Sequence, residues 1–350
     1  MRIAVLHPQS PFMHGGAEIH TEALVRALRG VGHDAEMVTI AGKWYPASEL
    51  AHQMAVWRSF DIGDAPDGSP IDAVIALKFP AYLAKHERKI VWLIHQRRSA
   101  YELWDHPEYG DLAPQPDGPG VRDLIRRADR MSLSEAKRVF TNSRNVRDRL
   151  WTSLQIRSEV LYHRSPMTDA LLPTEVRALG DAIVFPGRFE AIKRQSLAVE
   201  AMRHVRTDVR LVLVGRGPGE AGLREQLAKH RLEARVSLET SAPDARLQEL
   251  YLDALAVYYG PFDEDYGYVT LEGMAAARPV ITLEDAGGPL EFVADGETGI
   301  VVPPEPRAIA AAFDGIYRDR RSAALLGAAG RALITEAVPA WPDVITRLVD

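Results

Sequence analysis

The stretch Glu264-Asp265-Tyr266-Gly267-Tyr268-Val269-Thr270-Leu271-Glu272-Gly273-Met274 decides the architecture of this chain. Residues 254–258 ahead of it and 279–283 behind it are short apolar runs of strand length. The segment between them predicts a helix over 267–277. Strand, loop, helix and strand make a βαβ unit, whose strands run parallel. Gly267 falls at the loop-to-helix junction, so the free N–H groups of the helix start point back toward Glu264. Such groups bind anions, phosphate above all. Glu272 follows inside the helix, eight positions after Glu264.

The same alternation runs outward in both directions. Toward the N-terminus, 3–7, 35–40, 72–77, 90–94, 138–141 and 159–162 read as strands. Residues 17–29 read as a helix with Ile19, Ala23, Leu24, Ala27 and Leu28 on its apolar face, ended by Gly30 and Gly32. Residues 43–71 are less regular, with a helix near 49–57 and a loop at 63–70. The Pro- and Gly-rich 105–120 is a surface loop. A second series has strands at 182–185, 211–214, 236–238, 254–258, 279–283 and 300–302. Its helices are 195–205, 222–230, 245–252, 267–277 and 306–317. Between the series, 163–180 holds Pro166 and Pro173, has little periodicity and reads as a linker. The expected fold is α/β, two Rossmann-like domains facing across a deep cleft. Their extents are 1–168 and 169–337, with 338–350 as a terminal helix returning to the first. Parallel sheets bind ligands beyond the carboxyl ends of their strands, so that cleft is the expected site.

Composition narrows the function. A chain of 350 residues exceeds the usual size of one core. The absence of cysteine excludes disulfides, thiolate metal sites, iron–sulfur clusters and cysteine nucleophiles. A formal charge of −6 argues against nucleic acid as a partner. The opening Met1-Arg2-Ile3-Ala4-Val5-Leu6 is too short for a signal peptide, and no apolar run suggests a membrane span. The expected location is the cytoplasm, with at most peripheral contact at the inner face of the membrane. Charge is uneven, with nine Lys or Arg against four acids between Arg122 and Arg149. An anionic acceptor or bilayer would fit this stretch; a solvated helix face fits it better.

Several polar clusters follow strands. His14-Gly15-Gly16-Ala17-Glu18 opens the first helix, where glycines admit a ligand to the backbone. It lacks the G-x-G-x-x-G dinucleotide pattern. Gly187-Arg188-Phe189-Glu190-Ala191-Ile192-Lys193 puts two cations five positions apart at a strand's carboxyl end. A fork and a point charge together balance a diphosphate and support its departure. An anion site with two hydroxyl-binding carboxylates, Glu264 and Glu272, suits a nucleotide diphosphate joined to a sugar. Gly215-Arg216-Gly217-Pro218-Gly219 reads either as close approach to a base or ribose or as a plain strand–helix turn. Asp285-Ala286-Gly287-Gly288-Pro289-Leu290-Glu291 follows another strand toward the same cleft. His95 ends the strand 90–94, ahead of Gln96-Arg97-Arg98. His95 is placed against the sugar or its phosphate, Arg97 or Arg98 against an acidic group, and Tyr101 and Trp104 as an apolar wall for an acceptor. Asn142-Ser143-Arg144-Asn145 reads as a capping turn. The triplet Asp263-Glu264-Asp265 resembles a cation-holding motif, but Arg188 and Lys193 already supply positive charge, so no metal is assigned.

Taken together, these residues resemble the family 4 retaining glycosyltransferases of the two-Rossmann-domain, or GT-B, architecture. The resemblance runs from GGAE (15–18) and RGVGHDAEMVT (29–39) through NSRNV (142–146) and GRFEAIK (187–193). It continues through EDYGYVTLE (264–272), GMAAARPVI (273–281) and DAGGPLEFVADGETG (285–299). It implies a metal-independent transfer with retention. Gly15 and Gly16 would lie near the donor phosphates and acceptor, Arg188 and Lys193 would hold the diphosphate, and His95 would lie by the transferred sugar. Glu264 would bind donor-sugar hydroxyls, the main chain through Tyr266, Gly267, Tyr268 and Val269 would meet the phosphates, and Glu272 would grip the ribose. Gly187, Gly215 and Arg216 complete the expected donor site; His14, Arg97, Arg98, Tyr101 and Trp104 are its acceptor-side counterparts. Glu264 and Glu272 are not the acid and nucleophile of a glycosidase. The chain departs from the family pattern at Gly260-Pro261-Phe262-Asp263, Asp265-Tyr266, Gly273 and Ala277, which bear on sugar choice.

The expected function is transfer of a hexose from a UDP-sugar or GDP-mannose to a saccharide, lipid-linked or small-molecule hydroxyl, serving polysaccharide biosynthesis with no further cofactor. The alternatives are a non-catalytic nucleotide-sugar-binding partner protein and a nucleotide-sugar epimerase of the same architecture. An NAD-dependent dehydrogenase is disfavoured by the paired halves and the diphosphate cations.

Overall fold

A computed structural model describes residues 1–349. It divides into two compact units, Met1–His163 with the chain from Ala340 onward, and Arg164–Pro339. The division falls at 163/164 and 339/340, inside the segments read as linker and terminal helix.

In the first unit the order is β1 (Arg2–Gln9), α1 (Gly16–Gly30), β2 (Asp34–Ala41), α2 (Ala47–Ser59), β3 (Ala73–Lys78), β4 (Lys89–His95), α3 (Gly118–Ser134), β5 (Arg138–Thr141), α4 (Arg144–Leu154) and β6 (Glu159–Val160). Its sheet is parallel, in the order β2-β1-β3-β4-β5-β6. Alternate residues of one strand feed cores on opposite faces. Ile3 and Val5 join Trp92, Ile75 and α1 on one side, while Ala4 and Leu6 join Val74, Val91 and the α2–α3 side on the other. A sheet buried on both faces explains why its strands read as unbroken apolar runs.

The second unit holds α5 (Pro166–Leu171), β7 (Ala182–Pro186), α6 (Gln195–Met202), β8 (Arg210–Val214), α7 (Glu220–His230), β9 (Val236–Glu239), α8 (Asp244–Leu252), β10 (Ala256–Tyr258), α9 (Tyr268–Ala275), β11 (Val280–Leu283), β12 (Gly299–Val302), α10 (Pro306–Arg318) and α11 (Arg320–Ala337). Its parallel sheet has the order β12-β11-β10-β7-β8-β9. The chain then returns to the first unit as α12 (Trp341–Val349), burying Val344, Ile345, Leu348 and Val349 against the Trp92 side of that sheet. Each such side chain contributes about 1.5–3 kcal/mol when removed from water.

Three differences from the sequence reading have physical causes. The 105–120 loop stops at Asp117, because Gly118-Pro119-Gly120 opens α3, with Pro in the first turn where its missing N–H costs nothing. The supposed linker contains α5, with Pro166 at its start and Ser165 capping Thr168 N–H at 3.0 Å. Residues 320–349 are apolar and long enough by composition to cross a membrane. They form two helices broken at 338–340, and the second buries its apolar side in the first unit.

Candidate active site

The second unit gathers its polar groups where β7, β10 and β11 end. Lys193 and Glu264 form a direct ion pair. Tyr259 donates its hydroxyl to the same Glu264 oxygen, Oε2, at 2.8 Å, and Lys193 Nζ lies 3.2 Å from that hydroxyl. Burial opposes charge on both partners, but each outweighs it for the other. The Glu264 pKa is lowered by the Lys193 charge, and that of Lys193 is raised by the Glu264 charge. The pair is therefore a fixed dipole at the opening of α9, with 17–20% of each side chain exposed.

The loop carrying Glu264 is held by a residue the sequence reading did not single out. Arg194, at φ +58°, places a fork on Asp285 at 2.8 and 2.6 Å. It also donates to the carbonyls of Gly260 at 3.0 Å and Pro261 at 2.5 Å. The backbone completes the clamp, since Asp263 N–H bonds Asp285 O at 2.8 Å, Glu264 N–H bonds Ala286 O at 2.7 Å and Gly288 N–H bonds Glu264 O at 2.8 Å. The 285–291 segment thus buttresses the Glu264 loop. A second cation directly after Lys193, with the acidic Glu284-Asp285 just past the end of a strand, was the available signal.

Gly267 is the N-cap of α9 at φ +86°, with no capping side chain. A Cβ there would also press on the Tyr259 ring and on Pro289. Tyr266 is buried edge-on to Tyr268 and Phe292, and Val269 packs on the core, so the α9 start is rigid. Glu272, 8% exposed, accepts from Tyr251 at 2.6 Å and Ser165 at 2.7 Å. Burial raises its pKa, partly offset by these donors. Ser165 comes from the segment read as linker, whose lack of periodicity hid it.

Arg188 pairs with Glu190 at 2.7 Å and is one-third exposed. Gly187 and Gly215 both have positive φ, and a Cβ on Gly215 would strike the Gly187 carbonyl. Phe189 N–H bonds Arg216 O at 2.9 Å. The glycines of 215–219 therefore let this turn lie against the 187–189 turn. Arg216 is exposed, with Nε bonded to Thr240 O.

In the first unit Gly15 caps α1 and Gly16 begins it. Glu18 folds back to accept Gly15 N–H at 2.9 Å. It also meets His7 Nε2 at 3.2 Å and Lys78 Nζ at 3.5 Å. Burial opposes ionisation of Glu18, but the His7 hydrogen bond and the Lys78 charge hold its pKa down to about 2. Burial lowers that of His7. The start of α1 thus already carries its own carboxylate. His14 beside it is exposed. His95 ends β4, in register with Lys78, and donates Nδ1–H to Gln96 O at 2.6 Å, which leaves Nε2 as the acceptor in the neutral ring.

One acceptor-side expectation needs correction. Tyr101 is no exposed wall, being 7% exposed and donating its hydroxyl to the buried Asp129 at 2.7 Å. Trp104 is partly buried against the core and stacks under Arg122 at 4.3 Å. Arg97 pairs with Asp111 at 2.6 Å, and Arg98 with Glu102 at 2.7 Å. Ser143 is the N-cap of α4, accepting Val146 N–H at 3.0 Å. Among the described residues, no three His, Cys, Asp or Glu side chains form a cluster suited to a metal ion.

Residues 180–333 match the family described as glycosyl transferases group 1. The Dictyostelium discoideum alpha-1,3/1,6-mannosyltransferase ALG2 is 33% identical over 114 residues, 33% of this chain but only 27% of that protein's length. Its Mus musculus counterpart is 26% identical over 81% of this chain and 72% of its own. The D-inositol 3-phosphate glycosyltransferase of Streptomyces bingchenggensis is 29% identical over 86% and 78%. Among solved structures, sucrose-phosphate synthase from Thermosynechococcus elongatus superposes with a TM-score of 0.76 at 18% identity, covering 99% of this chain and 97% of that one. Anabaena Alr3699/HepE in complex with UDP and glucose gives 0.71 at 14% identity, covering 99% and 98%. These two show a shared fold. With two parallel six-stranded units and these superpositions, the chain has the GT-B fold, and its residues 180–333 match the group 1 glycosyl transferases.

Proposed function

We propose that the chain is a retaining, metal-independent glycosyltransferase that moves a hexose from a UDP-sugar or GDP-mannose to a saccharide, lipid-linked or small-molecule hydroxyl. The observation that carries this reading is the Lys193–Glu264–Tyr259 contact at the glycine-capped start of α9. A diphosphate at the α9 opening gains the helix dipole and the Lys193 charge, with Arg188 as the second cation. These groups take up charge as the sugar–phosphate bond breaks, which is where binding accelerates chemistry. Glu264 accepts hydroxyls of the transferred sugar, and Glu272, buried beside Tyr251 and Ser165, grips the ribose. His95 offers Nε2 to the sugar. Departure and attack occur on one face of the sugar, and no carboxylate is assigned as a covalent nucleophile. The relatives named mannosyltransferase favour mannose, and the neighbour holding UDP and glucose favours uridine. The enzyme acts in the cytoplasm, with at most peripheral membrane contact, on polysaccharide or related acceptors.

The test is transfer from UDP-glucose and GDP-mannose in EDTA to a panel of saccharide acceptors, with the product's anomeric configuration read by NMR. A new α-glycoside is expected. An inverted β-product, strict dependence on added metal, or failure to bind or consume either donor contradicts the reading.

A further inference from the structure

A pocket of about 460 Å³ lies wholly within the first unit, between the segment after β2 and the long loop after β4. Trp44 and Tyr45 line it, 38% and 70% exposed, opposite Asp111, Gln115 and Asp117. Its volume falls in the range of small-molecule sites. The far wall is built in advance. Gln115 accepts Ala47 N–H at 2.6 Å and donates to Asp111 O at 2.8 Å, tying the loop to the start of α2. Arg97 bonds Asp111 Oδ2 at 2.6 Å and reaches over the Trp44 ring, 6.0 Å from its centre.

These surroundings select a ligand class. Two aromatic faces offer an apolar surface, whereas the carboxylates opposite want hydroxyl donors. A hydrocarbon chain would take the Asp117 carboxylate and the Arg97–Asp111 pair out of water with no new polar partner, at a cost. An anion would meet Asp111 and Asp117, and Arg97, which reaches over Trp44, is already paired with Asp111. A pyranose satisfies both walls, with C–H bonds on one face of its ring and hydroxyls around the edge. The pocket also lies at the carboxyl ends of β2 and β4, the edge of the sheet that carries the Gly15 loop and His95. We propose that it is a neutral-saccharide subsite that holds a sugar unit of the acceptor, an inference that rests on the glycosyl-transfer reading above.

Saturation-transfer NMR on the full chain tests it. Methyl α-D-mannopyranoside, methyl α-D-glucopyranoside and maltotriose serve as probes, with UDP and GDP in parallel samples. Transfer to the ring protons of at least one saccharide is expected. Trp44→Ala, and separately Tyr45→Ala, should weaken that binding about tenfold while nucleotide binding stays unchanged. Tyr45 is too exposed for its removal to threaten folding. Undiminished saccharide binding in both variants overturns the subsite, as does no saccharide binding by a protein that still binds nucleotide. Loss of nucleotide binding with Trp44-dependent saccharide binding intact would instead support the pocket and remove the donor reading.

Discussion

Each unit places a lysine–carboxylate pair beside the start of a helix that follows a strand, and the two pairs are built differently. In the first unit Glu18 belongs to the helix itself. It accepts Gly15 N–H and is flanked by His7 and Lys78, so the α1 opening is closed by the protein's own anion. In the second, Glu264 stands three residues ahead of the glycine cap of α9. It is drawn aside to Lys193 and Tyr259 by a loop clamped on Arg194 and Asp285. In one arrangement a carboxylate of the helix's own first turn accepts the cap N–H, and in the other the cap is a glycine with no capping side chain. On the proposed reading the same two residue types take different roles, loop shaping near Gly15 and diphosphate binding near Gly267.

The sharpest way to break this contrast is to remove the cation. Lys193→Ala should lower transfer by about 10²–10³-fold, the scale for losing one preorganised group that stabilises developing charge. A steady-state assay with normal turnover would refute the assignment. Glu272→Gln should weaken donor binding by about tenfold, since one acceptor for a ribose hydroxyl is lost. Calorimetry showing unchanged affinity would assign Glu272 to structure alone.

Glu18→Gln should act more gently and in the other unit. The Glu18 pKa lies below its unfolded value of 4.5, at about 2. Its stabilising contribution is therefore complete above 4.5 and lost as pH falls through 2. At neutral pH the variant loses that contribution. It should melt lower and transfer more slowly, by up to about tenfold, with nucleotide affinity intact. A matching drop in nucleotide affinity would erase the distinction between the two pairs.

The smallest effect concerns Asp129, buried in the first unit between Tyr82 and Tyr101 at 2.8 and 2.7 Å. Burial raises its pKa from 3.8 to about 7, despite those hydroxyl donors. A raised carboxyl contributes fully below 3.8 and loses that contribution as pH climbs toward 7. Melting temperatures of Asp129→Asn should fall less steeply than wild type between those limits. Parallel curves would show that Asp129 does not titrate there.

Much of the fold was legible because period and length carry it. The central strands of both sheets lie in apolar runs bounded by turn residues, and the Gly267 junction reads directly as a helix start. The losses are equally physical. The first turn of α3 hid behind Gly-Pro-Gly, which signals a loop until Pro is seen to suit a first helical turn. α5 is too short to show a period. In the site, Glu264 and Lys193 were legible as a pair of charges, but their mutual contact was not. Nor was the clamp by Arg194 and Asp285, residues 91 positions apart whose meeting depends on tertiary structure. Tyr101 misled because an aromatic in a polar loop reads as exposed, whereas its hydroxyl is spent on a buried carboxylate contributed by α3.

The central claim is that the start of α9, with Lys193, holds a nucleotide diphosphate. Its most direct test is a metal-free calorimetric titration of UDP and GDP, and of their hexose conjugates, into the wild-type chain and Lys193→Ala. Saturable binding of at least one nucleotide in EDTA, weakened at least about tenfold by the substitution, is expected. Equal binding by both proteins, or binding that appears only with added metal, would contradict it.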